Sequence, residues 1–131
     1  MITLGTNIIR FDTKGSGEFG ASRIRYRDGN KYKVSHKGVD LLCLPNLPIY
    51  AEQDMEFIRI KNPYSGMSGG LWRCGEYEVT VFYCEPIEEN VQRGGVIGTC
   101  QNVATKYGKE MMPHIHTEID RDWERPPDIP L

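Results

Sequence analysis

The chain predicts an all-β or β-dominated domain, and three observations carry that prediction. Short runs rich in β-branched and aromatic residues recur from residue 48 onward. Turn-forming text separates most of them. Only QNVATKY has the makings of a helical turn or two. Fourteen glycines and eight prolines among 131 residues agree, since both punctuate a chain into turns and short strands. The length suits one compact antiparallel domain over 1–131, with residues 1–16 as an amino-terminal extension and 121–131 as a proline-rich tail.

Residues 1–35 are polar and glycine-rich, and GSGEFGAS and RDGNKYK read as turns and irregular loop. Within them Arg23, Arg25 and Arg27 are spaced to share one face of an extended segment. That face is either solvated or a contact for an anion. The expected strands are PIYAE, MEFIRIK, YEVTVFYC, VIGTC and HIHTEID, with NPYSGMSGG, CEPIEENVQRGG and YGKEMMP as turn material between them. In YEVTVFY, Tyr77, Val79, Val81 and Tyr83 alternate with Glu78, Thr80 and Phe82, a period of two. The three prolines of WERPPDIPL forbid a helix or a central strand, so the tail is expected to wrap the surface.

A net charge of −2 without a long basic block argues against a nucleic-acid partner. No apolar run approaches the ~20 residues of a membrane span. The start, MITLGTNIIRF, lacks the basic, apolar and small-residue succession of an export signal, and none is expected in this chain. Cys43, Cys74, Cys84 and Cys100 are widely and irregularly spaced, which gives no zinc-finger pattern. Disulfides and buried free thiols both remain open.

The three histidines are the most informative residues. His36 and Asp40 stand in a His-x-x-x-Asp spacing, and His114 and His116 form HIH inside a strand-like run. Residues two apart on a strand share a face, so His114, His116 and Glu118 are expected on one side, with Ile115 and Thr117 on the other. Zinc favours imidazole and carboxylate donors, and catalytic sites commonly use three protein ligands with a fourth position open. Two histidines and an aspartate would make such a set, with a second same-face histidine as a candidate base. Glu118 is a candidate to receive the other ring N–H of His116, beside a plain structural role. Tyr32, Tyr64 and Trp72 are either groove-lining or packing aromatics.

FGASR, HKGVDLLC, PIYA, VTVFY, GGVIGTC and PHIHTEI resemble, in that order, the motifs of the lysostaphin/LytM-type zinc endopeptidases. The resemblance spans about residues 17–120. HKGVDLLC, the NPY of Asn62–Tyr64, FYCEPI and HIHTEI are closer still to the leukocyte cell-derived chemotaxin branch, which binds zinc without demonstrated peptidase activity. The resemblance implies zinc as cofactor, held by His36, Asp40 and His116, and a catalytic role for His114 in handling a water proton. It also implies long glycine-rich loops around a groove that takes a peptidoglycan peptide or other extended peptide. It places a second catalytic histidine where this chain has Cys84, and no fourth histidine exists to replace it. Losing such an oxyanion donor typically costs ~10²–10³ in rate, so hydrolysis is in doubt. Cys84 can instead be a small buried residue, half of a disulfide with Cys100 as one partner, or a reactive thiol.

The expected function is therefore a zinc-binding, peptidoglycan-endopeptidase-like domain acting at the bacterial cell envelope. The alternative is a non-catalytic structural or interaction component of a phage tail or envelope assembly, carried there by a virion.

Overall fold

The computed structural model describes residues 11–12, 15–16, 22–27, 29–35, 38–103, 108, 111–120 and 129–130. Among them there is no helix. The strands in chain order are β1 (Phe11–Asp12), β2 (Gly15–Ser16), β3 (Ser22–Arg27), β4 (Asn30–Ser35), β5 (Val39–Leu42), β6 (Pro48–Tyr50) and β7 (Glu56–Ile60). Then follow β8 (Gly69–Cys74), β9 (Tyr77–Phe82), β10 (Cys84–Pro86), β11 (Val96–Cys100), β12 (His114–Asp120) and β13 (Ile129–Pro130). Their described pairings are antiparallel, as the sequence predicts.

The segment 22–35 is mostly a hairpin: Arg23, Arg25 and Arg27 lie on β3, the extended segment their spacing predicts, whereas RDGNKYK, expected as turn and irregular loop, holds the first four residues of β4. Arg27 pairs with Asn30, so only Asp28 and Gly29 lie between β3 and β4. Asp-Gly suits a two-residue hairpin loop because strand twist there asks for positive φ, and Gly29 has φ 79°. The alternation that spaces Arg23, Arg25 and Arg27 two apart is itself the strand signal. β13 adds to the edge of this hairpin in the order β13-β4-β3. Pro130 is tolerated there because an edge strand does not need every N–H.

The principal sheet has the order β5-β12-β9-β8-β7, and a smaller sheet has the order β10-β11-β6. Every second residue of the central strands enters one core. Val39 and Leu41 come from β5, Ile115 from β12, Val79 and Val81 from β9, and Trp72 and Cys74 from β8. They cluster with Ile49 of β6, Cys84 of β10, and Ile97 and Cys100 of β11. Fully burying an aliphatic side chain of this size stabilises a fold by roughly 1.5–3 kcal/mol. Trp72 is entirely buried, its ring edge-on to Phe57 at 5.6 Å, so it packs the core and lines no groove.

Only the first two residues of β8, Gly69 and Gly70, lie in text expected as turn, and Leu71–Cys74 fall in none of the expected strands. Most of QNVATKY, the residues 1–10 and 121–128 of the two ends, and His36 lie outside the described residues. Among the described residues no helix is long and apolar enough to cross a membrane.

The period of two in β9 holds, but with both faces covered. Val79 and Val81 face the core, and Thr80 on the other face is also buried, because β9 lies between β12 and β8. Lys61 Nζ donates to Thr80 Oγ1 at 3.2 Å. That second face of the sheet carries the polar cluster.

Candidate functional site

Three adjacent strands build the cluster. On β12, His116 is register partner to Asp40 of β5 on one side and to Phe82 of β9 on the other. Period-two geometry then puts His114, His116 and Glu118 on one face, while Ile115 and Thr117 are buried on the opposite one. Thr117 Oγ1 donates to Val39 O at 3.0 Å, which ties β12 to β5 beneath the cluster. Gly38 lets β5 begin so close to β12: a Cβ at that position would collide with the Thr117 carbonyl oxygen.

His116 is held between two carboxylates. Its Nδ1 lies 2.9 Å from Asp40 Oδ1 and its Nε2 lies 3.0 Å from Glu118 Oε1. Both partners are acceptors, so the metal-free ring satisfies both only as an imidazolium donating from each nitrogen. Burial works against that charge, but the hydrogen bonds to Asp40 and Glu118 outweigh it and raise His116 to about 9. The Phe82 ring stacks on the imidazole, centroids 5.8 Å apart and planes 11° from parallel.

His114 is fixed differently. Its Nδ1 lies 2.8 Å from Met112 O, and a carbonyl oxygen only accepts, so Nδ1 carries the hydrogen. Its Nε2 lies 3.7 Å from Asp40 Oδ2. Tyr83 meets the His114 ring edge-on at 5.4 Å and also packs against Tyr64 at 6.2 Å. Tyr83 has φ 63°, a left-handed conformation uncommon for a bulky residue. Hydrogen bonds from its N–H to Ser68 O (2.9 Å) and from Gln101 N–H to its C=O (2.8 Å) hold it there. Nothing in the sequence pattern announces this kink, and the part of Phe82 and Tyr83 as walls of the cluster was not foreseen.

The structure thus brings Asp40 together with His114, His116 and Glu118, which lie more than seventy positions further along the chain. Cys84 is wholly buried in the core cluster, and burial first, then Cys43 and Glu85, push its thiol up to about 12. It therefore stays a neutral, weak donor.

Among the described residues no group of three or more His, Cys, Asp and Glu side chains is arranged to hold a metal ion. The donor chemistry of Asp40 and His116 nevertheless fits two positions of a zinc shell. Donors on one tetrahedral zinc lie about 3.3 Å apart for bonds near 2.0–2.1 Å, and these two atoms are separated by 2.9 Å. Glu118 on the far nitrogen of His116 is the carboxylate that commonly orients a metal-bound imidazole.

No protein-family model matches the chain, and no curated protein matches it. Among solved structures, it is similar to the crystal structure of a zinc containing peptidase from Vibrio cholerae, with a TM-score of 0.54 and 20% identity. The match covers 95% of this chain and 39% of that one, so this chain spans well under half of the peptidase's length. The chain therefore shares its β fold with part of that protein, and carries a largely buried histidine–carboxylate cluster on one sheet face.

Proposed function

We propose that this domain binds one zinc ion through His36, Asp40 and His116 and engages peptidoglycan peptides in the manner of the lysostaphin/LytM-type endopeptidases. The observation that carries the proposal is His116 held between Asp40 and Glu118, with the Nε2 of His114 directed at the same aspartate. An imidazole nitrogen and a carboxylate, which meet there, are two donor types zinc prefers. The shared fold of a zinc-containing peptidase supports the same reading, and His36 supplies the third ligand.

Zinc bound there would supply Lewis acidity toward a peptide carbonyl. Glu118 would keep the His116 ring oriented by accepting its Nε2–H. His114, with Nδ1–H committed to Met112, takes up the proton of an attacking water at Nε2. Phe82 and Tyr83 shield the two rings from bulk water and fix their planes. Cys84, buried and neutral, offers no strong donor to a developing oxyanion, so hydrolysis is slower than in an enzyme with that donor by ~10²–10³. The domain therefore works chiefly as a zinc-dependent binder of cell-wall peptide with weak cleavage.

Elemental analysis of protein purified without added metal tests the first half, with about one zinc per chain expected and loss of it in His36→Ala. Incubating the zinc-loaded protein with purified cell wall tests the second. Slow release of new amino termini, abolished by His114→Ala, supports hydrolysis; co-sedimentation without release limits the role to binding; neither result refutes the peptide proposal.

A further inference from the structure

Away from the ring nitrogens of the cluster, three of the four cysteines converge. Cys43 directly follows β5, Cys84 opens β10 and Cys100 ends β11. Cys84 and Cys100 are register partners across the β10–β11 ladder. Cys100 Sγ lies 3.2 Å from Cys43 O, and the two side chains act on each other's titration. Cys74 stands apart, its Sγ 3.1 Å from Gln53 Oε1. All four are free thiols.

We infer that Cys43 and Cys100 form an oxidisable pair that a hydroperoxide converts to a disulfide joining the exit of β5 to the end of β11. Cys43 is the entry point because it is half-buried, whereas Cys84 and Cys100 are buried. The hydrogen bond from Cys100 holds the Cys43 thiol below the ordinary thiol range, against burial, and the same bond pushes Cys100 up. Cys43 is thus the attacking sulfur and Cys100 the resolving one.

In the first step the Cys43 sulfur attacks one oxygen of ROOH. The O–O bond breaks, ROH leaves with the proton given up by the thiol, and Cys43 becomes a sulfenic acid. In the second, the Cys100 sulfur attacks the Cys43 sulfur. The S–S bond forms, the S–O bond breaks, and water leaves with the Cys100 proton. Two thiols are oxidised by two electrons, and the hydroperoxide is reduced to ROH and water.

The bond would form directly under the candidate site. Cys43 N–H donates to Pro113 O at 3.1 Å, and Cys100 Sγ lies 3.8 Å from His114 O. The inference needs no metal and stands apart from the zinc reading.

The test treats the folded full chain with a small excess of hydrogen peroxide, alkylates the remaining thiols, and maps peptides without reduction. Free thiols should fall from four to two, the intact mass should drop by about 2 Da, and a peptide containing Cys43 should be linked to one containing Cys100. Dithiothreitol should reverse all three. Cys43→Ser should abolish the link and Cys74→Ser should leave it, with circular dichroism confirming that each variant is folded. A Cys84–Cys100 link, or oxidation of Cys43 to a sulfinic acid without a cross-link, overturns the inference.

Discussion

Asp40 Oδ1 and His116 Nδ1 face each other at 2.9 Å across the β5–β12 ladder, the ring N–H donating to the carboxylate. Register alone makes the pair, since the two residues are direct cross-strand partners. What occupies that gap decides both the charge of the cluster and what the site can bind.

A metal ligand must be a neutral imidazole, so zinc has to displace the Nδ1 proton of His116. With His116 raised to about 9 by its two carboxylates, against the cost of burial, the metal-free ring is protonated at neutral pH. Zinc uptake at pH 7.5 should release close to one proton from this ring, and affinity should weaken about tenfold per pH unit from pH 8.5 down to 7. Calorimetry in buffers of different ionisation enthalpy reads the proton directly. Uptake with no proton released would show that His116 is not a ligand.

The same proton governs stability when no metal is present. The folded value of His116 is about 9 against an ordinary 6.5, so the folded chain holds the proton more tightly. The resulting stabilisation, on the order of 3 kcal/mol, is fully present below pH 6.5 and is lost as pH rises through about 9. Urea melts of chelator-treated protein should therefore show a fall in stability between pH 6.5 and pH 9.5, which the His116→Gln variant lacks. Equal slopes in the two proteins would contradict the assignment.

Gly38 controls how near β5 comes to β12. A methyl group there meets the Thr117 carbonyl oxygen, a backbone atom that cannot swing aside as a side chain can. Gly38→Ala should cost roughly 1–3 kcal/mol, in the range of overpacked sites, and should weaken zinc binding by more than the loss of stability accounts for. Thermal melts and metal titration of the one variant measure both effects. Wild-type affinity in Gly38→Ala would mean that Asp40 is positioned by other contacts.

The legible parts of this chain are those where side-chain period and backbone agree. HIHTEID is β12 over His114–Asp120, and its alternation by itself places Glu118 on the face of His116. VIGTC is likewise β11 over Val96–Cys100. Three kinds of feature were not legible. Gly69 and Gly70, expected as turn, hid the start of β8, because glycine carries no side chain to register on either face. The polar strand β4 lacks the apolar weight that draws attention to a strand, so RDGNKYK reads as loop. The left-handed Tyr83 is a backbone event set by Ser68 and Gln101, distant residues whose hydrogen bonds no local pattern encodes.

Cys84 is the position at which the endopeptidase resemblance predicts a histidine, and the structure gives a reason why simple replacement should fail. Its side chain is fully buried in the core cluster, opposite Cys100 and beside Gly98. An imidazole is much larger than a thiol and brings two polar nitrogens that would need partners there. Overpacking costs roughly 1–3 kcal/mol and an unsatisfied buried polar group a similar amount. Meanwhile Tyr83, not residue 84, is the side chain that reaches the His114 ring. Cys84→His should therefore lower the melting temperature without raising the rate at which amino termini are released from cell wall. A rise of tenfold or more in that rate, with the fold intact, would mean that the new ring turns toward the site and that the thiol alone was holding back hydrolysis.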